Sequence, residues 1–280
     1  MPASYGLFGY PVQHSWSPFI HGMFAKQTGQ DMEYRLFESP PERFRSEVLG
    51  FFSGGGSGIN VTVPHKRAAT DLVNELTPRA QVADAVNTIV RVEERLVGDN
   101  TDGAGLIADL TRNLRLEFSA PRILLLGAGG AARGALGPLL ELKPRLLVVA
   151  NRTEERATEI AKEFAYLGPV SGCEFSSLET QRFDLIVNAT SASLRGDVPA
   201  IPKGVVDSMT TCYDMAYGDG DTAFVTWAKA RGAGRAEQGW GMLVEQAAEA
   251  FFLWRGVRPD TEPVLRALRT RTAKAPRSPS

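Results

Sequence analysis

The chain has 280 residues, 43% hydrophobic and 22% charged, with a formal net charge of −1. That length allows about two domains at roughly 100–200 residues each, and the balanced charge gives no global field to attract nucleic acid or an anionic membrane. The only two cysteines, Cys173 and Cys212, form neither a metal-ligand spacing nor a disulfide framework, so no metal and a reducing, cytoplasmic setting are expected.

The opening M-P-A-S-Y-G-L-F-G-Y has neither a basic region nor a long apolar core and does not read as a signal peptide. No apolar run reaches the length of a bilayer crossing, and no repeat of fixed period is present. Residues 5–9 read as a short strand entering the turn G-Y-P-V-Q-H-S. Ser17-Pro18 predicts a helix start, with Ser17 as N-cap, Pro18 at the first helical position, and Phe19, Met23 and Phe24 on one face. Residues 33–37 suit a second strand. A helix follows over 41–52, with Phe44, Val48, Leu49 and Phe52 at helical spacing. The segment S-G-G-G-S-G ends it and leads into the strand I-N-V-T-V, and residues 87–99 read as a hairpin. Strands alternating with helices up to about residue 100 predict a compact α/β unit.

A second unit begins near residue 121. R-I-L-L-L-G is an apolar strand, G-A-G-G-A-A-R-G opens a helix, and L-L-V-V-A-N-R-T is another strand. A helix through E-R-A-T-E-I-A-K-E-F and the strand F-D-L-I-V-N-A-T continue the rhythm. Near-continuous apolar strands in βαβ succession predict a doubly wound parallel sheet covered on both faces. Residues 242–254 and 262–271 give two further helices, and the tail beyond them has nothing to bury.

Gly127, Ala128, Gly129, Gly130, Ala131 and Ala132 match G-x-G-x-x-G/A, with alanine in the third place. A glycine pattern alone is weak. Following a strand and opening a helix, it predicts backbone N–H groups presented to a pyrophosphate at the positive end of that helix. An NAD site usually carries an acid at the end of the next strand to accept from the ribose 2′-hydroxyl. Here the sequence has Asn151, Arg152 and Thr153, with Arg156 one turn on. Two arginines and no acid favour a 2′-phosphate, hence NADP(H) over NAD. The alternative is that both arginines are exposed and pair with Glu154, Glu155 or Glu159.

Reduction of a carbonyl needs a proton donor where negative charge develops on oxygen. The stretch G-I-N-V-T-V-P-H-K ends a buried strand at a proline and leaves Lys66 just beyond it. G-D-N-T-D-G, residues 98–103, is a polar cluster joining the two units, where a small-molecule site is expected. Each residue alone reads as surface. With a nicotinamide fold they read as a dyad, Lys66 as acid/base and Asp102 orienting it.

G-Y-P-V-Q-H-S-W-S-P, N-V-T-V-P-H-K, A-V-N-T, G-D-N-T-D-G, G-A-G-G-A, N-R-T and G-M-L-V-E-Q-A-A, in that order, together resemble the shikimate/quinate dehydrogenase family, from Tyr5 to about Leu268. The resemblance implies an NADPH-dependent, reversible reduction of 3-dehydroshikimate to shikimate in aromatic amino acid biosynthesis. It implies an α/β substrate domain over 1–103 and a Rossmann NADP domain over 104–237. Helices over 238–270 would return to the substrate domain, with a disordered tail over 271–280. It implies further that Ser15 and Ser17 hold the substrate carboxylate, that Thr62, Asn87, Tyr217 and Gln246 bind substrate oxygens, and that Lys66 and Asp102 are the catalytic pair. On the cofactor side Gly127–Ala131 would meet the pyrophosphate, Asn151, Arg152, Thr153 and Arg156 the adenosine phosphate, and Met215 and Gly239 the nicotinamide pocket. Relatives suggest a monomer or homodimer. No nucleic acid and no membrane is implied.

Blander readings stand beside several of these. Ser17 serves equally as a helix cap, Gln246 can face water, Met215 can fill core, Tyr217 can be a surface aromatic, and His14 and His65 suit local packing. The sequence also departs from the family pattern. Trp16 stands where lysine is common, Asp84 where glycine is usual, Ser193 where a glycine often follows the T-S pair, and Gln238 where an acid often precedes Gly239. Asp84 would carry strain if that position has positive φ. Rival functions are a quinate-active or NAD-using paralogue, a non-catalytic nucleotide sensor, and a non-redox Rossmann enzyme such as a methyltransferase.

Overall fold

The structure is a computed structural model that describes residues 2–274. Its described residues divide into two compact units, one running to residue 105 and taking in 243–267, the other of residues 106–242 with the part of the last helix from 268.

The first unit begins with β1 (Ala3–Gly9), α1 (Ser17–Thr28), β2 (Met32–Glu38), α2 (Pro41–Ser53) and β3 (Gly58–Val61). There follow β4 (Glu75–Leu76), α3 (Pro78–Ala83), β5 (Thr88–Val92), β6 (Arg95–Asp99) and α4 (Asp102–Ala108). Its sheet has the order β2-β1-β3-β5-β6-β4. β1 runs parallel to β2 and β3, and β5 runs antiparallel to β3 and β6. The edge strand β2 alternates half-buried and exposed residues, whereas β3 is buried throughout, as an outer and an inner strand should be. Phe8, Phe44, Val48, Phe52, Ile59 and Val61 form the heart of its core.

Two local expectations change here. Leu49 is 40% exposed, because only Phe44, Val48 and Phe52 of α2 face the core. Ser17 is not the N-cap of α1. Trp16 holds that position, its carbonyl accepting the Ile20 N–H at 3.0 Å, and the Ser15 hydroxyl oxygen accepts the Ser17 N–H at 3.2 Å. On the same helix the buried stripe is Ser17, Ile20, His21, Phe24 and Ala25, while Phe19 and Met23 are only half-buried.

The second unit contains β7 (Arg122–Leu126), α5 (Gly130–Glu141), β8 (Leu146–Asn151), α6 (Glu154–Phe164), β9 (Val170–Glu174) and β10 (Leu185–Asn188). β11 (Thr211–Asp214), α7 (Ala223–Ala230) and β12 (Arg235–Gln238) complete it. All its strands are parallel, in the order β12-β11-β10-β7-β8-β9. Counted from β7 this is the 3-2-1-4-5-6 order of a dinucleotide-binding sheet, whose order reverses between β7 and β10. Leu124, Leu126, Val148, Ala150 and Ile186 are buried in its core.

α8 (Trp240–Arg255) and α9 (Glu262–Lys274) end the described chain. Residues 271–274 continue α9 rather than starting the expected tail, and 275–280 lie outside the described residues. Within the first unit α8 is fastened by its aromatic side chains. Trp254 packs on Tyr5 with ring centroids 4.7 Å apart and donates from Nε1 to the Ile89 carbonyl at 3.1 Å, and Phe251 packs against Phe24.

Candidate active site

Lys66 lies five residues beyond the end of β3, and its main chain is held on both sides. His65 is 2% exposed, its ring stacks on Phe44 at 4.3 Å, and its Nε2 is 2.6 Å from the Ser39 carbonyl. A carbonyl only accepts, so Nε2 carries the proton and donates. His65 is therefore a peg, as its blander reading has it, and His14 is exposed. On the other side the Lys66 carbonyl accepts the Val86 N–H at 2.8 Å. With its backbone pinned, only the Lys66 side chain is left to extend.

Lys66 meets Asp102. Nζ donates to Oδ2 at 2.6 Å, with the two side chains 30% and 16% exposed. Asp102 lies in the polar run G-D-N-T-D-G. It opens α4, and its N–H donates to Asn100 Oδ1 at 3.1 Å. A carboxylate in the first turn of a helix is favoured by the helix dipole. Its second oxygen, Oδ1, accepts from Asn87 Nδ2 at 2.9 Å. Gln246 of α8 faces inward. Its Nε2 donates to the Leu243 carbonyl at 2.8 Å, which turns Oε1 towards Asn87 Nδ2 and Thr101 Oγ1, each at 3.4 Å.

The structure thus brings Lys66, Asn87, Asp102 and Gln246 into one hydrogen-bonded group. Ser15 and Ser17 form a second pair, the Ser15 hydroxyl donating to Ser17 Oγ at 3.1 Å. Thr62 is half-buried, its N–H donating to the Phe8 carbonyl at 2.9 Å. Sequence reasoning passed over the buried Asn60, Thr88 and Thr101 that join this group. The signal was present: an asparagine inside the apolar strand I-N-V must find partners once buried.

Below Asp102 a second network holds the hairpin. Asp99, 2% exposed, accepts from Arg79 at 2.6 and 2.8 Å and from Thr77 at 2.6 Å. Burial pushes the Asp99 carboxyl up, but the bonds from Arg79 and Thr77 outweigh it and hold the group below the ordinary carboxylate range.

In the second unit the turn after β7 fits a dinucleotide. Gly127 has φ 105°, which a side chain would strain. Gly129, Gly130 and Ala131 are exposed, and α5 starts at Gly130 with no side chain capping it. The space beside Gly129 and Gly130 is open. Unsatisfied N–H groups at an exposed helix start are what a pyrophosphate needs. At the end of β8 the Asn151 amide donates to the Thr153 carbonyl at 3.0 Å. Arg152 and Arg156 are exposed, and neither takes part in an ion pair among the described residues, so the alternative pairing with Glu154, Glu155 or Glu159 does not form.

Met215 and Tyr217 are half-buried, and Tyr217 packs on Trp240 with ring centroids 4.5 Å apart. A Cβ on Gly239 would lie 2.5 Å from the Met215 carbonyl, so only glycine fits. Two of the sequence's departures have local reasons. Gln238 accepts the Gly218 N–H at 3.1 Å and donates to the Gly220 carbonyl at 2.8 Å, two roles that an acid could not combine. Ser193 donates to the buried Asp214 at 2.6 Å and accepts from Asn188 at 3.1 Å.

Comparison with known proteins agrees with both halves. The family model described as shikimate dehydrogenase substrate binding domain matches residues 7–89, shikimate / quinate 5-dehydrogenase matches 109–207, and shikimate 5′-dehydrogenase C-terminal domain matches 239–269. A shikimate dehydrogenase (NADP(+)) of Hahella chejuensis is 54% identical over 265 residues, covering 95% of this chain and 98% of its own. The crystal structure of an Ael1 enzyme from Pseudomonas putida is 44% identical with a TM-score of 0.90, covering 95% of this chain and 98% of that one. That of a Thermus thermophilus shikimate 5-dehydrogenase in complex with NADP(H) and shikimate is 32% identical with a TM-score of 0.85, covering 96% and 99%. Fold, turn and matches define an NADP-dependent oxidoreductase. At this identity over nearly the full length, the chain belongs to the shikimate dehydrogenase family.

Proposed function

We propose that this chain is an NADP-dependent shikimate dehydrogenase, reducing 3-dehydroshikimate reversibly to shikimate in aromatic amino acid biosynthesis. The observation that carries its chemistry is the Lys66 ammonium, 2.6 Å from Asp102 and only partly exposed. When bound, NADPH supplies the hydride that reduces the ketone carbon; Gly127–Ala131, Asn151, Arg152, Thr153 and Arg156 would hold it, with Met215 and Gly239 beside the nicotinamide.

Lys66 has three N–H groups and spends one on Asp102. Another can reach the ketone oxygen and deliver its proton as negative charge develops there. In the reverse direction the neutral amine takes the hydroxyl proton. Asp102 orients the ammonium through a charge-assisted hydrogen bond, and Asn87 keeps Asp102 from rotating away. Thr62, Asn87 and Gln246 supply donors and acceptors for the substrate hydroxyls, and Ser15 and Ser17 offer hydroxyls to its carboxylate. Such a lining rejects analogues lacking a hydroxyl, since a buried polar group left unpaired costs about 1–3 kcal/mol.

We read the setting as reducing cytoplasm, which the two free thiols support, and the assembly as monomer or homodimer. No helix among the described residues is long and apolar enough to cross a membrane. An absorbance assay for NADP⁺ reduction by shikimate tests the reading, with quinate and NAD⁺ as controls. Turnover with shikimate and NADP⁺ above both controls is expected; faster turnover with quinate or with NAD⁺ would favour the paralogue reading.

A further inference from the structure

A line of polar side chains, buried at its centre, crosses the first unit, and every link in it from Tyr34 to Asp102 donates in the same direction. Asn60 Nδ2 lies 3.2 Å from the Asn87 carbonyl, a group that only accepts, so Nδ2 donates and Oδ1 accepts. The Tyr34 hydroxyl, 2.8 Å from Oδ1, must then be the donor. Asn60 Nδ2 also donates to Thr88 Oγ1 at 3.0 Å, which turns the Thr88 proton towards Asn87 Oδ1 at 2.9 Å. The Thr101 N–H, 2.8 Å from the same Oδ1, fixes the Asn87 amide in that orientation. Asn87 Nδ2 then faces Asp102 Oδ1 at 2.9 Å, and Lys66 takes the other carboxylate oxygen at 2.6 Å.

We infer that Tyr34 is a positioning residue for the Lys66–Asp102 pair, acting through Asn60, Thr88 and Asn87. The inference rests on the functional reading above and adds a residue far outside the motifs that carry it. Its leverage lies in a competition at Asn87. Nδ2 has two protons and three acceptors within reach: Thr101 Oγ1 at 2.9 Å, Asp102 Oδ1 at 2.9 Å and Gln246 Oε1 at 3.4 Å. Donation into Asn87 Oδ1 polarises the amide and strengthens what its N–H groups give to the carboxylate, because hydrogen bonds in series reinforce one another in a low-dielectric interior. Without the Tyr34 hydroxyl, Asn60 Oδ1 loses its donor, and Asn60 is only 6% exposed. A buried acceptor in that position is driven to turn its amide in search of a partner, and the relay is then broken at its second link.

The ring that carries the hydroxyl is itself held. His21 stacks on Tyr34 at 4.3 Å with an interplanar angle of 9°, and among the described residues neither of its ring nitrogens meets a partner in hydrogen-bond geometry. His21 thus contributes a flat face that holds the ring in place.

Tyr34→Phe keeps the stack and removes only the hydroxyl. Its kcat for shikimate oxidation is expected to fall about tenfold, the effect of roughly 1.4 kcal/mol in the transition state, with KM for NADP⁺ unchanged. In an Asp102→Asn background there is no carboxylate left to aim, and the same substitution should change kcat by less than about twofold, the non-additivity of residues acting in one network. Thr88→Val interrupts the relay at its third link and should give the same pattern, which also covers a Tyr34→Phe protein that fails to fold. Wild-type kcat in the folded variants would overturn the inference alone, as would an undiminished loss in the Asp102→Asn background. A wild-type chain unable to oxidise shikimate would remove the functional reading, and this inference with it.

Discussion

The two units prepare for their ligands in opposite ways. In the first, Lys66, Asn87, Asp102 and Gln246 are already bonded to one another, side chain to side chain. In the second, the glycine turn offers main-chain N–H groups, and Arg152 and Arg156 stand exposed with no ion pair among the described residues. The difference follows from what each half must recognise. A small polyol acid presents hydroxyls at fixed points, so each needs a side chain oriented beforehand. A dinucleotide presents phosphates, for which a helix start and a guanidinium suffice. Single side-chain changes in the first unit should therefore strike turnover, and those in the second should strike cofactor choice.

The sharpest way to break this contrast is Lys66→Ala. Removing the general acid/base should lower kcat by about 10³-fold, within the usual 10²–10⁴ range, while KM for shikimate moves far less. Steady-state rates of NADP⁺ reduction measure it, and near-normal turnover would end the proposed role. The matching test of the second unit is the double variant Arg152→Ala, Arg156→Ala. Charge-assisted bonds are worth about 1.5–3 kcal/mol, so KM for NADP⁺ should rise by about 10- to 100-fold. KM for NAD⁺ and kcat should hardly change. Equal losses with both cofactors would mean that the arginines do not read the 2′-phosphate.

Legibility in the sequence divides along the same line. The second unit's sheet is plain in the apolar runs of β7, β8 and β10, because strands covered on both faces leave no other reading. Its weaker strands β9, β11 and β12 escape notice: V-S-G-C-E and R-A-E-Q have no apolar run, and only the register with their neighbours makes them strands. In the first unit the quoted motifs bring out Lys66, Asn87 and Asp102, and the Lys66–Asp102 pairing with them, yet not the side chains bonded behind them. Tyr34, Asn60 and Thr88 lie on three different strands, and a hydrogen bond between residues 26 positions apart leaves no trace in local spacing. G-D-N-T-D-G has the composition of a turn, and its last acid is a helix start only because A-G-L-I-A continues behind it.

A third test contrasts the units through acid. All three histidines of the chain, His14, His21 and His65, belong to the first unit. His21 is fully buried among Tyr34, Phe24, Phe251 and Trp254. Burial pushes its imidazole from 6.5 down to about 3, with the neighbouring Asn60 side chain opposing the shift. Between those values the unfolded chain binds a proton that the folded chain refuses, so the His21 contribution is complete above pH 6.5 and is lost as pH falls towards 3. At pH 5 the loss should be about 2 kcal/mol relative to pH 7, at roughly 1.4 kcal/mol per pH unit below 6.5. His21→Leu should remove that part of the slope. Denaturant midpoints at pH 7 and pH 5 measure it, and equal slopes in the two proteins would show that the ring is protonated in place.

The smallest effect expected is at Asp84, the C-cap of α3, with φ 51° and ψ 37°. A non-glycine residue in this left-handed conformation costs about 1–2 kcal/mol, less for Asp, whose short polar side chain tolerates it. Against this, Asp84 forms an ion pair with Arg67, but both side chains are substantially exposed, and such pairs contribute about 0–1 kcal/mol. Asp84→Gly loses the pair and relieves the strain, at an added cost of up to about 1 kcal/mol for glycine's freedom in the unfolded chain. These terms nearly cancel, so its midpoint should shift by less than about 0.5 kcal/mol. Asp84→Ala loses the pair and keeps the strain without a polar side chain to ease it, and should be destabilised by about 1 kcal/mol. The order of the two variants is the test. On propensity alone alanine would be the more stable, and only a backbone held at positive φ reverses it.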